Sequence, residues 1–295
     1  MAPVLEVAIF SFNRGAWLAN CVESVQRNIP QARLRIHDDN SDDPHTLAVL
    51  AGMADFVVRA GPAGAADHGG LYANMQRALE TAQGDFVLFL QDDMQIVRPV
   101  AADEIAAIAG IFDSDPRLGF LAPIFMKGER MKRYRRKLTP DDALRLYQPA
   151  PHAAPPITYI DTALAHVGRL REAGWRFRPS EAQNVAQALD LFGPMPFLAE
   201  PFSFFCPEVP IFRNRRQSLA ARLASRIAGE GVKAFHDMTP GAVRAFKTRA
   251  LNVWPVAEDF LTPTDPRVRR PFVYKDVKAR WWLNALHRLE KALRR

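Results

Sequence analysis

The 295-residue sequence holds only two cysteines, Cys21 and Cys206, too few for a disulfide framework, and no Cys/His set has zinc spacing. Cys21 falls on the apolar face of an expected helix and reads as a reduced core thiol. No apolar run approaches the roughly 18 residues of a membrane-spanning helix. No leader pattern of basic and then apolar residues opens the chain, and no internal repeat is present. A cytoplasmic protein is the expectation. Charge balance is also absent. Lys and Arg number 39 against 32 Asp and Glu, a net +7, with a pI near 9.7. An anionic partner follows, and nucleic acid, an anionic membrane surface and a phosphorylated substrate fit charge equally well. The aromatic-interleaved basic sheet or reading helix of a nucleic-acid binder is missing, so no nucleic-acid partner is expected. Hydrophobic residues at 48% are ordinary for a globular chain.

What is present is alternation. Residues 4–12 (VLEVAIFSF) form a β-rich run ended by Asn13-Arg14-Gly15. A helix with Trp17, Cys21, Val22 and Val25 on one face follows. Residues 34–37 read as a short strand stopping at Asp38-Asp39-Asn40-Ser41, polar caps for a helix from Pro44. A third strand over 56–59, a Gly/Ala-rich loop over 61–70 and a helix over 71–82 come next. Residues 86–90 (FVLFL) form a continuous apolar strand that ends at Gln91-Asp92-Asp93. A helix over 102–114 and a buried strand over 118–125 complete the set. The fold class expected is α/β, a Rossmann-like layered domain with a mainly parallel central sheet and a mostly helical C-terminal extension. The expected division is a catalytic domain over 1–210, split into halves at 126/127, and a basic extension over 211–295. In such sheets ligands bind beyond the carboxyl ends of the strands, where both acidic stretches fall.

Acids at a strand end suit a divalent ion bridging phosphate oxygens, because Mg²⁺ and Mn²⁺ take hard oxygen ligands. A lone Asp-Asp is weak evidence; an ordered set is stronger. The chain has a strand ending in Ser11-Phe12-Asn13-Arg14, a strand ending in Asp38-Asp39-Asn40-Ser41, Asn74 and Ala78 on a helix, and Gly84-Asp85 before the strand ending in Gln91-Asp92-Asp93. In order and spacing this resembles the family 2 glycosyltransferases of GT-A fold. The resemblance covers residues 4 to about 125 well and 157–190 loosely.

The resemblance implies a metal-dependent, inverting transfer from a nucleotide-sugar donor, a UDP-sugar, to a glycan or lipid-linked acceptor, as in bacterial cell-surface polysaccharide synthesis. By the same resemblance Ser11, Phe12, Asn13, Arg14, Asp38, Asp39, Asn74, Gln91 and Asp92 contact the donor, with Asp39 on the base and Asp92 near the ribose or sugar. Asp93 is the implied ligand of Mn²⁺ or Mg²⁺, and His236 a second candidate ligand. Gln91 stands where the family has an acid. For the base that takes the acceptor's proton, Glu181, after Gly174-Trp175-Arg176-Phe177, is the first candidate and Asp161 the second; helix capping is the plain alternative for Asp161 and Asp38. A nucleotidyltransferase and a degenerate binding fold are the competing functions.

Two basic segments stand out. Residues 127–137 (KGERMKRYRRK) carry seven basic residues and read as an exposed loop, a lid for phosphate or merely solvated. Residues 149–156 read as extended linker. Helices are expected over 215–227 and 276–295. In the second, Trp282, Leu286, Leu289 and Leu293 share one face, and Arg280, His287, Lys291 and Arg294 gather opposite. Such a helix either packs on the catalytic domain or makes peripheral contact with the inner face of a membrane. Val277 stands where the Gln-x-x-Arg-Trp motif of processive synthases has Gln, so processive synthesis is not expected.

Overall fold

The computed structural model describes residues 2–59, 69–209, 218–229 and 231–293. Residues 61–68 of the expected loop, 215–217 of the expected helix and Arg294 lie outside that description. The first half alternates as expected: β1 (Leu5–Ser11), α1 (Gly15–Asn28), β2 (Arg33–Asp38), α2 (Pro44–Gly52), β3 (Val57–Arg59), α3 (Gly70–Thr81), β4 (Phe86–Gln91), β5 (Met94–Ile96) and α4 (Ala102–Ser114). Then come β6 (Phe120–Leu121), α5 (Met131–Lys137), β7 (Leu138–Asp141), β8 (Leu146–Pro149), β9 (Leu164–His166), α6 (Val167–Glu172), α7 (Glu181–Phe192), β10 (Phe197–Leu198) and β11 (Ser203–Phe205). The C-terminal part is helical: α8 (Leu219–Ala228), α9 (Pro240–Thr248), α10 (Ala257–Phe260) and α11 (Trp281–Leu293).

The main sheet runs β3-β2-β1-β4-β9-β6. Its first four strands are parallel, and β9 pairs antiparallel with both β4 and β6. Side chains leave a strand alternately to its two faces. Leu5, Val7 and Ile9 therefore pack with Leu18, Cys21 and Val22 of α1, while Ala8 and Phe10 pack with Met75 and Ala78 of α3. Strand order reverses between β1 and β4, the topological switch point where α/β sheets hold ligands. The C-terminal region shares this core, because Phe235, Phe246 and Phe272 lie in the cluster beneath α1. Around α8 and α11 a separate small cluster forms from Ala224, Val277 and Leu283.

Two expectations are corrected. The basic run 127–137 is not an open loop: a 3-10 turn (Gly128–Arg130) leads into α5, which buries Tyr134 and Lys137. Lys137 Nζ donates to the Pro155 carbonyl, so one of the seven charges is inside while Lys132, Arg133, Arg135 and Arg136 face solvent. The strand expected over 118–125 pairs regularly only at Phe120–Leu121; beyond it, Ala122 and Ile124 make single bridges to Phe197 and Ser203.

Candidate functional site

Parallel register brings the strand ends together. Ser11 lies beside Asp38 and Phe10 beside Gln91. Past the paired residues, Asp39 N–H donates to the Ser11 carbonyl (2.9 Å) and Asp92 N–H to the Phe10 carbonyl (3.0 Å). A cavity of about 900 Å³ opens over this junction, lined among others by Ser11, Phe12, Arg14, His37, Asp39, Asn74, Gln91, Asp92, Asp161 and Tyr274. Its size is that of a small-molecule site.

At one end, Asp39 accepts hydrogen bonds from Gly70 N–H (3.1 Å) and Asn74 Nδ2 (2.8 Å). Asn74 is buried, and its Oδ1 accepts from Arg77 Nη1 (2.8 Å). Gly70 starts α3 with φ +72°, a left-handed conformation that costs a residue with a Cβ about 1 kcal/mol or more. Two partners therefore hold the Asp39 carboxylate in place.

At the other end sits a cation–carboxylate knot. Arg14 Nη1 donates to Asp92 Oδ1 (3.1 Å) and Asp93 Oδ2 (2.5 Å). Tyr274 Oη donates to the same Asp93 oxygen (2.5 Å). Both acids are buried. Burial, and next the Asp93 charge, raise the Asp92 carboxyl above its ordinary value, opposed by Arg14. Asp93 is held from behind, since Cys206 N–H donates to its carbonyl (2.7 Å) through the antiparallel β5–β11 pair. Lys127 lies nearby, its ammonium 4.2 Å from the Phe205 ring centre. Burial, and then Arg130, lower its pKa to about 8, while Glu129 and Asp93 act to raise it.

Other expected donor contacts make hydrogen bonds within and between the loops. Asn13, at φ +51°, donates through Nδ2 to Asp42 and accepts from Asp42 and Asp43 N–H through Oδ1, tying the two loops together. Asp38 accepts from Ser41 N–H and Oγ within its own turn; the cap of α2 is Asp43, which accepts from Thr46 N–H. Ser11 Oγ and both His37 ring nitrogens are buried without a hydrogen-bond partner at the cavity wall. Burial, aided by Arg77 and Arg35, lowers the His37 pKa to about 4, so its ring is neutral near pH 7.

The two base candidates part company. Glu181 is exposed in the first turn of α7 and is absent from the cavity wall. Asp161 lines the cavity and accepts from Tyr72 Oη (3.2 Å), with the Tyr159 hydroxyl also against its carboxylate. Burial, then Glu181, push the Asp161 carboxyl up to about 6. It caps no helix, because α6 starts only at Val167 with His166 as N-cap.

His236, the second candidate metal ligand, lies apart from Asp93. It is exposed, and its neighbour Asp237 is tied to Arg27 in the last turn of α1, whereas Arg14 beside Asp93 precedes the first turn. No three His, Cys, Asp or Glu side chains that could hold a metal come together among the described residues. Tyr274 and His37 also line the cavity, and no motif marks either of them. The alternation of 34–37 held a signal for His37, a polar residue in register with the inward-facing Phe10. Tyr274 lies 181 residues from Asp93, and nothing local marks it.

Fold and cavity define an α/β protein with a ligand site at its switch point, charged at one end and hydrogen-bonding at the other. Residues 6–167, more than half the chain, match Glycosyl transferase family 2, and the chain belongs to that family. No curated protein matches. Among solved structures, Staphylococcus aureus TarS 1-349 in complex with UDP-GlcNAc is similar with a TM-score of 0.49 and 14% identity, over 78% of this chain and 62% of that one. The same fragment with UDP gives 0.49 and 17%, over 68% and 59%. Mannosyltransferase PcManGT from Pyrobaculum calidifontis, in complex with GDP-Man and Mn²⁺, gives 0.47 and 14%, over 78% and 66%. The chain thus spans about 60% of the TarS fragment's length.

Proposed function

We propose that the protein transfers a sugar from a nucleoside-diphosphate donor, a UDP-sugar, to a hydroxyl of a glycan or lipid-linked acceptor with inversion. The observation that carries this reading is one cavity lined both by the Asp39–Asn74 pair and by Arg14 and Asp92 of the knot. Asp39, held by Gly70 and Asn74, accepts the imide N–H of uracil; the unpartnered Ser11 Oγ and neutral His37 supply further contacts to the nucleoside. The diphosphate lies toward Arg14 and Lys127, which offer the positive charge a leaving diphosphate needs.

In the transfer, the acceptor oxygen attacks the anomeric carbon as the bond from that carbon to the diphosphate breaks. The acceptor proton passes to Asp161, and the bonding pair leaves with the nucleoside diphosphate. Asp161 replaces Glu181 as the proposed base because it lines the cavity with a raised pKa. A general base works best with a pKa near the working pH.

The family resemblance implies Mn²⁺ or Mg²⁺. Two adjacent carboxylate side chains at a strand end are the hard donors such ions prefer, and their place beside a cation is already set by Arg14. An ion arriving with the diphosphate would be held by Asp93, in competition with Arg14 and Tyr274 for Oδ2. When bound, it supplies neutralisation of the leaving diphosphate.

Release of nucleoside diphosphate from a panel of sugar nucleotides, with Mn²⁺ and with chelator, tests the reading. Turnover of a UDP-sugar that falls at least ten-fold in Asp93→Ala is expected. No turnover of any donor, or full turnover in the variant, would contradict it.

A further inference from the structure

The face of α11 turned away from the protein is apolar. At 100° per residue, Trp281, Trp282, Leu286, Leu289 and Leu293 share an arc of about 140°. Trp281 is 83% exposed, Leu289 62% and Leu293 87%. The opposite side makes the contacts with α8. There Leu283 is fully buried, Glu290 accepts from the Leu219 and Ala220 N–H groups, and His287 Nδ1 lies 3.1 Å from Ser218 Oγ. Packing on the catalytic domain, the plainer expectation for this stripe, is therefore not what covers it.

Positive charge is concentrated in the same stretch of sequence. Residues 267–295 hold ten Lys and Arg against two acids, a net +8 that exceeds the +7 of the whole chain. The remainder of the protein is thus close to neutral. Arg288 lies at one edge of the apolar arc, and Lys278 and Lys275 precede the helix. Two faces of such charge repel, which disfavours a second copy of this chain as the cover. Paired tryptophans with basic neighbours suit the headgroup boundary of an anionic bilayer. No helix among the described residues is long and apolar enough to cross a membrane; α11, with 13 residues, is about 20 Å long.

We propose that α11 lies in the interface of an anionic membrane, with Trp281, Trp282, Leu289 and Leu293 inserted among the acyl chains. The segment leading into the helix carries Tyr274, which touches Asp93, so docking would bring the cavity close to the lipid surface. The inference stands on the helix and its charge and does not depend on the transfer reaction.

Cosedimentation of the full chain with vesicles tests it, using phosphatidylcholine alone or with about one-third phosphatidylglycerol. Partitioning onto the anionic vesicles should be at least ten-fold stronger, and should weaken with salt because the attraction is screened. Trp281→Ser/Trp282→Ser should lose at least ten-fold of it while keeping the circular dichroism spectrum and the affinity for UDP. Arg288→Glu/Lys291→Glu should lose it by the electrostatic route, at roughly five-fold or more per basic residue removed. Equal binding to both vesicle types, or an unchanged tryptophan variant, would overturn the proposal. So would a dimer in light scattering that the tryptophan variant abolishes, with no vesicle binding. Loss of vesicle binding with intact UDP affinity would leave the donor site standing.

Discussion

At the cavity wall, hydrogen bonds from the Tyr159 and Tyr72 hydroxyls to Asp161 are outweighed by its burial and by the nearby charge of Glu181. The latter two raise its carboxyl, to about 6 against an ordinary 3.8. A raised carboxyl pKa means that the folded state holds its proton more tightly than the unfolded chain. The associated stability is fully present below about pH 4 and is lost as pH rises through about 6. Asp161→Asn should therefore melt higher than the parent near pH 7.5, with the gap closing below about pH 4. Transfer should fall about 100-fold or more with donor affinity unchanged, and the parent's rate should rise with pH through about 6. Thermal melts and a pH–rate profile read these outcomes; a variant of full activity returns the role to another acid. The Arg14 knot makes a different prediction. Removing the cation from two buried carboxylates is expected to cost about 3–5 kcal/mol, so Arg14→Met should lower the urea midpoint sharply, and an unchanged midpoint would mean that the pairs are solvent-screened. A place at the cavity is legible in the sequence where order and spacing carry it, as for Asp39, Asn74 and Arg14. Elsewhere it is not. The same acidic turns also serve architecture, and only contacts separate Asp38, bonded within its own turn, from Asp39, which faces the cavity.

The elements that carry the site depend on close approaches. Gly15 N–H donates to Thr46 Oγ1 (2.9 Å), and a Cβ on Gly15 would stand 2.8 Å from Thr46 Cα. That obstacle is backbone, so α1 and α2 must separate to admit it. Gly15→Ala should destabilise the fold by about 1–3 kcal/mol and weaken donor binding, because Arg14 and Asn13 precede the same helix. Chemical denaturation measures the first and calorimetry the second; a neutral substitution would show that the helices part at little cost. Alternation of short apolar runs made β1, β2, β4 and their helices readable, since each strand is covered on both faces. From β6 onward the strands shorten to two to four residues, and β6, β9, β10 and β11 are paired by partners distant in sequence. Local pattern carries no record of such partners. In the basic run 127–137 charge dominates the local pattern, while Tyr134 and Lys137, three apart on one helical face, set the burial.

For the whole molecule, charge and site are arranged separately. The last 29 residues carry a net charge larger than that of the whole chain, whereas the cavity pairs its own cations and carboxylates. Composition alone therefore pointed to an anionic partner without locating it. The C-terminal region is more than an appendage to the site, because Phe272 enters the main core and Tyr274 reaches Asp93. The central claim is that this cavity binds a nucleoside diphosphate by its base at Asp39 and by its phosphates near Arg14. Isothermal titration of UDP, GDP and ADP into the protein, with and without Mn²⁺, tests it most directly. The account predicts saturable one-to-one binding of UDP that weakens about 10- to 100-fold in Asp39→Ala, the worth of a hydrogen bond to a charged group. Absence of nucleotide binding under both conditions, or UDP binding untouched by Asp39→Ala, would contradict it.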